Sequence, residues 1–146
     1  MENKTIDNIL ENLFYVLPII HKKLLRMDLG GVTGNLSRLH LAIMKMLDEE
    51  SLPISEIGVR LVAPKSQMTH LVDQLVSRGI LVRQPDAQDR RVINISLTDY
   101  GQDMLRECRE LVRQNIRNKI SRLTAEELVA LSDALVKLKD IGAKLE

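Results

Sequence analysis

Two clusters in this sequence hold side chains that can form directed hydrogen bonds. One is Lys65-Ser66-Gln67 with Thr69 and His70; the other is Asp89-Arg90-Arg91. Serine, glutamine, threonine and histidine are short or amide-bearing groups of a size that reaches base edges in a major groove. Arginines outside such a face can grip phosphates or enter the narrower minor groove. The plainer reading is a solvated helix face and a turn closed by Asp89. Chemistry of the catalytic kind is missing: there is no phosphate-cradling glycine loop, no Ser/His/Asp arrangement and no pair of acids in a plausible pocket. The chain is therefore expected not to be an enzyme. His21, His40 and His70 are scattered without helical pairing, so neither a metal nor another cofactor is expected.

The elements that must carry these clusters can be read from period and punctuation. Met68, Leu71, Val72, Leu75 and Val76 recur at helical spacing and define one buried stripe. Pro64 stands at or just before the start of that helix, and Gly79 marks its end. Lys65, Ser66, Gln67, Thr69, His70, Asp73 and Gln74 lie opposite the stripe. A shorter helix, Ile54–Val62, precedes it with Ile57 and Leu61 inward. Gly58 in its middle suits a close helix crossing. Ile80–Val82 and Val92–Leu97 are branched and apolar, and Pro85–Arg91 between them is polar and turn-prone. Together they form an antiparallel hairpin with a charged tip. A helix, a tight turn, a second helix and a hairpin make a helix-turn-helix with a β-wing.

Flanking this unit, Ile6, Ile9, Leu10, Leu13, Leu17, Ile20 and Leu24 predict a helix from Thr5 to about Met27, with Pro18 expected to kink or break it. Gly30, Gly31 and Gly34 make residues 28–35 a connection, and Ser37 is a candidate cap for the helix carrying Ile43, Met44 and Leu47. Asp48–Glu50 lead into a turn ended by Pro53. Thr98 caps a long helix through Met104, Leu105, Cys108, Leu111, Val112, Ile116 and Ile120. Thr124-Ala125-Glu126-Glu127 has capping-box form and opens a last helix with Leu128, Leu131, Leu135 and Leu138.

The 146 residues suit one domain, or one protomer of an assembly, and an apolar fraction of 45% supplies a core. Net charge is +1, but residues 60–91 hold six Lys/Arg against three Asp/Glu, so the helix-turn-helix and wing form the basic part. No apolar run reaches membrane-spanning length and no cleavable signal opens the chain. The single cysteine, Cys108, lies on an apolar stripe and reads as a buried small hydrophobe. A cytoplasmic protein is the default expectation.

The stretches "SQMTHLVDQLVSRGIL" and "DAQDRRVINISLTDYG", with the Ile54–Val62 helix before them, resemble the multiple antibiotic resistance regulator (MarR) family of winged-helix transcriptional regulators. Asp89 and Arg91 match the family's Asp-x-Arg element, and Leu97, Thr98 and Gly101 its Leu-Thr-x-x-Gly. The resemblance implies a mainly α (α+β) winged helix, with residues 1–35 an N-terminal dimerisation helix and connection, 36–100 the DNA-binding domain and 101–146 the C-terminal dimerisation helices. It implies a homodimer on double-stranded DNA, bound to a pseudo-palindromic operator, acting as a repressor and released by a small-molecule effector. The alternative is a winged helix used only for protein–protein assembly.

Carried onto these residues, Ser66, Gln67, Thr69 and His70 would contact bases and backbone, and Lys65 phosphate. Arg91 would be the wing contact held by Asp89, with Arg90 and Arg60 as phosphate partners. Phe14, Tyr15 and His21 lie where the family's ligand cleft is lined. Three aromatics in the whole chain supply such a cleft poorly for stacking flat rings, whereas six methionines could make an adaptable pocket.

Overall fold

The computed structural model describes residues 1–145 and divides into two compact units. One is Asp28–Leu111; the other is Met1–Met27 together with the chain from Val112 onward. The first unit is thus wider than the expected 36–100, taking in the connection and the first half of the long helix.

Asp28–Leu111 holds α2 (Gly30–Thr33), α3 (Arg38–Met46), β1 (Leu52–Pro53), α4 (Ile54–Arg60), α5 (Lys65–Ser77), β2 (Leu81–Pro85), β3 (Ile93–Leu97) and the start of α6 (Asp99–Ile120). α2 is a single turn inside the glycine-rich connection. Ser37 caps α3 as expected: its Oγ accepts the His40 amide at 3.3 Å and its own amide donates to His40 Nδ1 at 3.0 Å. The core is shared by every element from α3 to α6. Ile43, Met44, Ile57, Met68, Val72, Leu75, Ile80, Ile95 and Leu105 are sealed from solvent, with Leu47, Leu52, Leu81, Leu97 and Met104 around them. The α5 stripe is therefore the inner face of the lobe.

The sheet has three antiparallel strands in the order β1-β3-β2. Leu81 stands opposite Leu97 and Pro85 opposite Ile93, which leaves Asp86–Val92 as the wing tip. β1 corrects the expected simple turn before Pro53, since Leu52 pairs with Ile95 and Pro53 with Asn94. Proline is tolerated there because a two-residue edge strand asks for few amide donors.

α4 and α5 end in the same way. After α5 the Ile80 amide reaches the Leu75 carbonyl at 3.0 Å and the Gly79 amide that of Val76 at 2.9 Å, with Gly79 at φ +71°. After α4 the Ala63 amide reaches Gly58 at 2.9 Å and the Val62 amide reaches Val59 at 3.2 Å. Both are the left-handed closure that glycine favours. At the second, the left-handed position (φ +52°) is held by Val62, a branched residue for which this conformation costs roughly 1–2 kcal/mol. The expected end of α4 at Val62 therefore moves back to Arg60. Gly58 is needed less for the expected helix crossing than for the turn after its own helix: a Cβ there would lie 3.1 Å from the Ala63 carbonyl oxygen, whereas Met68 of α5 stands at an ordinary 3.5 Å.

α6 opens on Thr98, whose Oγ1 accepts the Gly101 amide at 3.1 Å and donates to the Gly79 carbonyl at 2.5 Å. Gly101 sits so close to the segment before β2 that a Cβ would come within 2.3 Å of the Ile80 carbonyl oxygen. Cys108 is buried, and desolvation, then Glu107, raises its thiol above the usual range. A buried, protonated thiol is a poor nucleophile.

The second unit holds α1 (Glu2–Ile20), the later turns of α6 and α7 (Ala125–Gly142). Pro18 does not break the first helix. The chain continues into a π-helical turn at His21–Leu25, where the Arg26 amide donates to the His21 carbonyl at 2.8 Å. Proline removes one amide from the ladder, and a widened turn restores the bonding beyond it. Asn115 and Lys119 of α6 donate to the free carbonyls at its end, Leu24 and Arg26, at 3.3–3.4 Å. Thr124 and Glu127 form the expected capping box of α7. α1 and α7 bury no residue at all.

Candidate nucleic-acid interface

α5 divides the polar face read from the sequence into two halves. In the C-terminal half the side chains are held by the lobe itself. Gln74 Oε1 lies 2.8 Å from His40 Nε2. Because His40 Nδ1 accepts from the Ser37 amide, the Nε2 of a neutral ring must donate to that oxygen. Asp73 pairs with Arg83 of β2, tying the wing's first strand to the helix. In the N-terminal half, Lys65, Ser66, Gln67 and His70 are exposed, and no side-chain hydrogen bond engages them among the described residues. Thr69 differs: its Oγ1 donates back to the Lys65 carbonyl at 2.9 Å. The half with free donors and acceptors is thus the one beside the α4–α5 turn, carried on a helix that is braced at its other end.

The wing tip is organised by two aspartates. Asp86 accepts the amides of Gln88 and Asp89 at 3.0 Å each on Oδ2, and the Asn94 amide group at 2.8 Å on Oδ1. Those bonds, the Asp89 amide first, hold its carboxyl below the ordinary 3.8. Asp89 takes the Arg91 guanidinium in a fork, Nε to Oδ1 at 3.1 Å and NH2 to Oδ2 at 3.3 Å, and the Arg91 amide at 3.1 Å. The guanidinium contact is the leading cause that lowers its carboxyl as well. Asp89 therefore closes the turn and aims the arginine with the same oxygens. Arg91 remains 91% exposed despite the fork, and Arg90 is exposed with no carboxylate partner among the described residues. Sequence reasoning passed over Asp86 as a turn residue. Its place ahead of two amides and an asparagine was the available signal.

Arg60 is less free than its sequence position suggests. It is shared between Glu50 and Glu56, whose hydrogen bonds, Glu50 first, push its guanidinium pKa further up. Phosphate binding there would have to displace two carboxylates. Phe14, Tyr15 and His21 are exposed on α1 and the turn after it, with Phe14 at 78%. None of them lines the cavity of about 630 Å³ in their own unit. Ile19, Ile20, Leu24, Ile120, Leu123 and Leu131 wall that cavity, with Lys23, Lys119 and Arg122 around them.

Residues 31–92 match the model of the MarR family. The HTH-type transcriptional repressor MdtR of Bacillus subtilis is 33% identical over 88 residues, 60% of this chain and 57% of that protein. The multiple antibiotic resistance protein MarR of Escherichia coli is 32% identical over 72 residues, 49% of this chain and 50% of that one. The chain thus spans about half the length of these curated relatives. Among solved structures, the YusO protein of Bacillus subtilis superposes with a TM-score of 0.70 at 25% identity, covering 96% of this chain and 98% of that one.

Proposed function

We propose that this chain, whose residues 31–92 match the MarR family, is a sequence-specific DNA-binding transcriptional repressor acting as a homodimer on a pseudo-palindromic operator. The observation that carries the proposal is the pairing of a free polar half-helix with an arginine-tipped wing in one lobe. Ser66, Gln67 and His70 supply uncommitted groups for base edges, and Lys65 supplies a cation for the backbone. Arg91, held out by Asp89, and Arg90 beside it meet the minor groove or its phosphates. Thr69 contributes through its methyl and its placement, since its hydroxyl is engaged. Arg60 acts as a weaker phosphate partner than the wing arginines.

The uncovered apolar faces support the dimer. Ile6, Ile9, Leu10, Leu13 and Leu17 of α1 and Leu135, Leu138 and Ile141 of α7 are all exposed in a single chain. Faces of this kind need cover. A second copy supplies it and sets two α5 helices for successive major grooves, about 34–36 Å apart.

Release by a small-molecule effector belongs to the same proposal: a ligand that alters this spacing shifts the population away from the bound form. The Lys23, Lys119 and Arg122 cavity supports an anionic amphiphile as that ligand better than Phe14, Tyr15 and His21 do.

The test is Arg91→Ala on a duplex selected from a random pool by the full chain, measured by titration across a salt series. Affinity falls by more than tenfold, the dimer stays folded, and the slope of affinity against salt becomes shallower. Unchanged affinity removes Arg91 from the interface. Failure of the full chain to bind any duplex at low salt removes the DNA-binding function.

A further inference from the structure

The turn between α4 and α5 is closed by the same pair of backbone bonds as the end of α5, yet it carries Val62 where the other carries Gly79. Packing does not account for the valine, because Val62 is 92% exposed. Its neighbour across the turn, Val59, is exposed too, as is Pro64. These three, with Gly58 and Ala63, wall an open depression that Ser55 and Lys65 also line. A strained, branched, solvent-facing side chain at the edge of a free polar surface is the kind of outlier from which function is inferred.

We infer that this depression receives the 5-methyl group of a thymine, with Val62 as the residue that determines specificity for it. The inference rests on the DNA-binding function proposed above and names one base contact within it. Thymine alone among the four bases presents a methyl group in the major groove, and apolar side chains are what recognise it. Val62 is stiff about χ1, so it loses little freedom on making such a contact. Lys65, which lines the depression, places a cation for the adjoining phosphate, and Ser66, Gln67 and His70 follow it along α5. A patch of three small apolar side chains flanked by a cation is matched to one methyl group beside a charged backbone. It lacks the large anchors that a protein partner would fill.

The experiment uses the full chain and a duplex it selects from a random pool, with each thymine replaced in turn by deoxyuridine, which lacks only the methyl group. Wild type loses about fourfold in affinity at one thymine of each half-site, the effect of one buried methyl. Val62→Gly and Val62→Asn both accept the left-handed backbone and, relieved of the valine's strain, melt at or above the wild-type temperature. Both are indifferent to uracil at that position. Lys65→Ala weakens binding to every duplex and keeps the uracil penalty. Wild type insensitive to all replacements, or V62G showing the same penalty as wild type at every position, overturns the thymine contact and leaves the DNA-binding function standing. Absence of binding to any duplex overturns both.

Discussion

Replacing Gly101 with alanine tests how the wing is joined to the long helix. The new Cβ would stand 2.3 Å from the Ile80 carbonyl oxygen, 3.0 Å from Leu97 Cδ2 and 3.2 Å from the Ile80 carbonyl carbon. A carbon–oxygen contact settles at about 3.3–3.6 Å, so the first turn of α6 and the Ile80 backbone must separate by roughly 1 Å. Ile80 is fully buried, and its carbonyl also accepts the Thr98 amide at 3.0 Å and shares, at 3.1 Å, the Thr98 hydroxyl proton that goes chiefly to the Gly79 carbonyl. Overpacking of this kind costs about 1–3 kcal/mol, and each hydrogen bond drawn out of range adds about 1 kcal/mol. The better helix propensity of alanine returns at most about 1 kcal/mol. The net loss is about 3 kcal/mol, which for a chain of this size lowers the melting midpoint by about 6–12 °C. Gly142→Ala, with nothing among the described residues within 4 Å of its Cβ, is the matched control and leaves the midpoint nearly unchanged. Melting followed by circular dichroism reads both variants. A G101A midpoint within about 2 °C of wild type would mean that the junction is looser than the carbonyl contact requires, and the reasoning would fail.

Two further outcomes follow from the core and the wing. Met68→Ala empties a site with no solvent access at the centre of α5 and destabilises the protein by about 2–5 kcal/mol, read as a fall in the urea midpoint with unchanged slope; a loss below about 1 kcal/mol would show that the lobe closes over the gap. The carboxyls of Asp86 and Asp89 lie below 3.8 in the folded chain, so their contribution to the wing tip is complete above that value and is lost as pH falls through the lowered values. The amide resonances of Gln88, Asp89 and Arg91 are therefore steady from pH 7 to 5 and shift only below about 4; movement already between pH 7 and 5 would mean that other groups hold the turn.

The winged-helix unit was legible because its signals are local. The α5 stripe, the Gly79 stop, the branched strands, the Ser37 and Thr124 caps and the buried setting of Cys108 each depend on residues a few positions apart. What escaped depends on distance along the chain. β1 is two residues long, and its partner Ile95 lies on the far side of the wing, so no period could reveal it. Arg60 looked like a free cation because Glu50, ten positions earlier, approaches only after the chain turns. The free and braced halves of α5 look alike in sequence, since Gln67 and Gln74 are the same residue type; only the arrival of His40 separates them. Val62 could not be found at all, because a branched residue carries no signal that its φ will be positive. Pro18 was legible as a disturbance but not as the widened turn that absorbs it.

The pairing of Leu52 with Ile95 also constrains movement. The chain departs from that rung into α4 and α5, runs out along the wing and comes back to the same rung, so the excursion is tied at its base like a drawn purse. The β1–β3 rung, the β2–β3 ladder and the Asp73–Arg83 pair together tie the wing back to the helices. Helix α5 and the hairpin are therefore held as one piece, and on the function proposed above any regulation that alters their fit to a duplex would carry the whole tied ring rather than bend it.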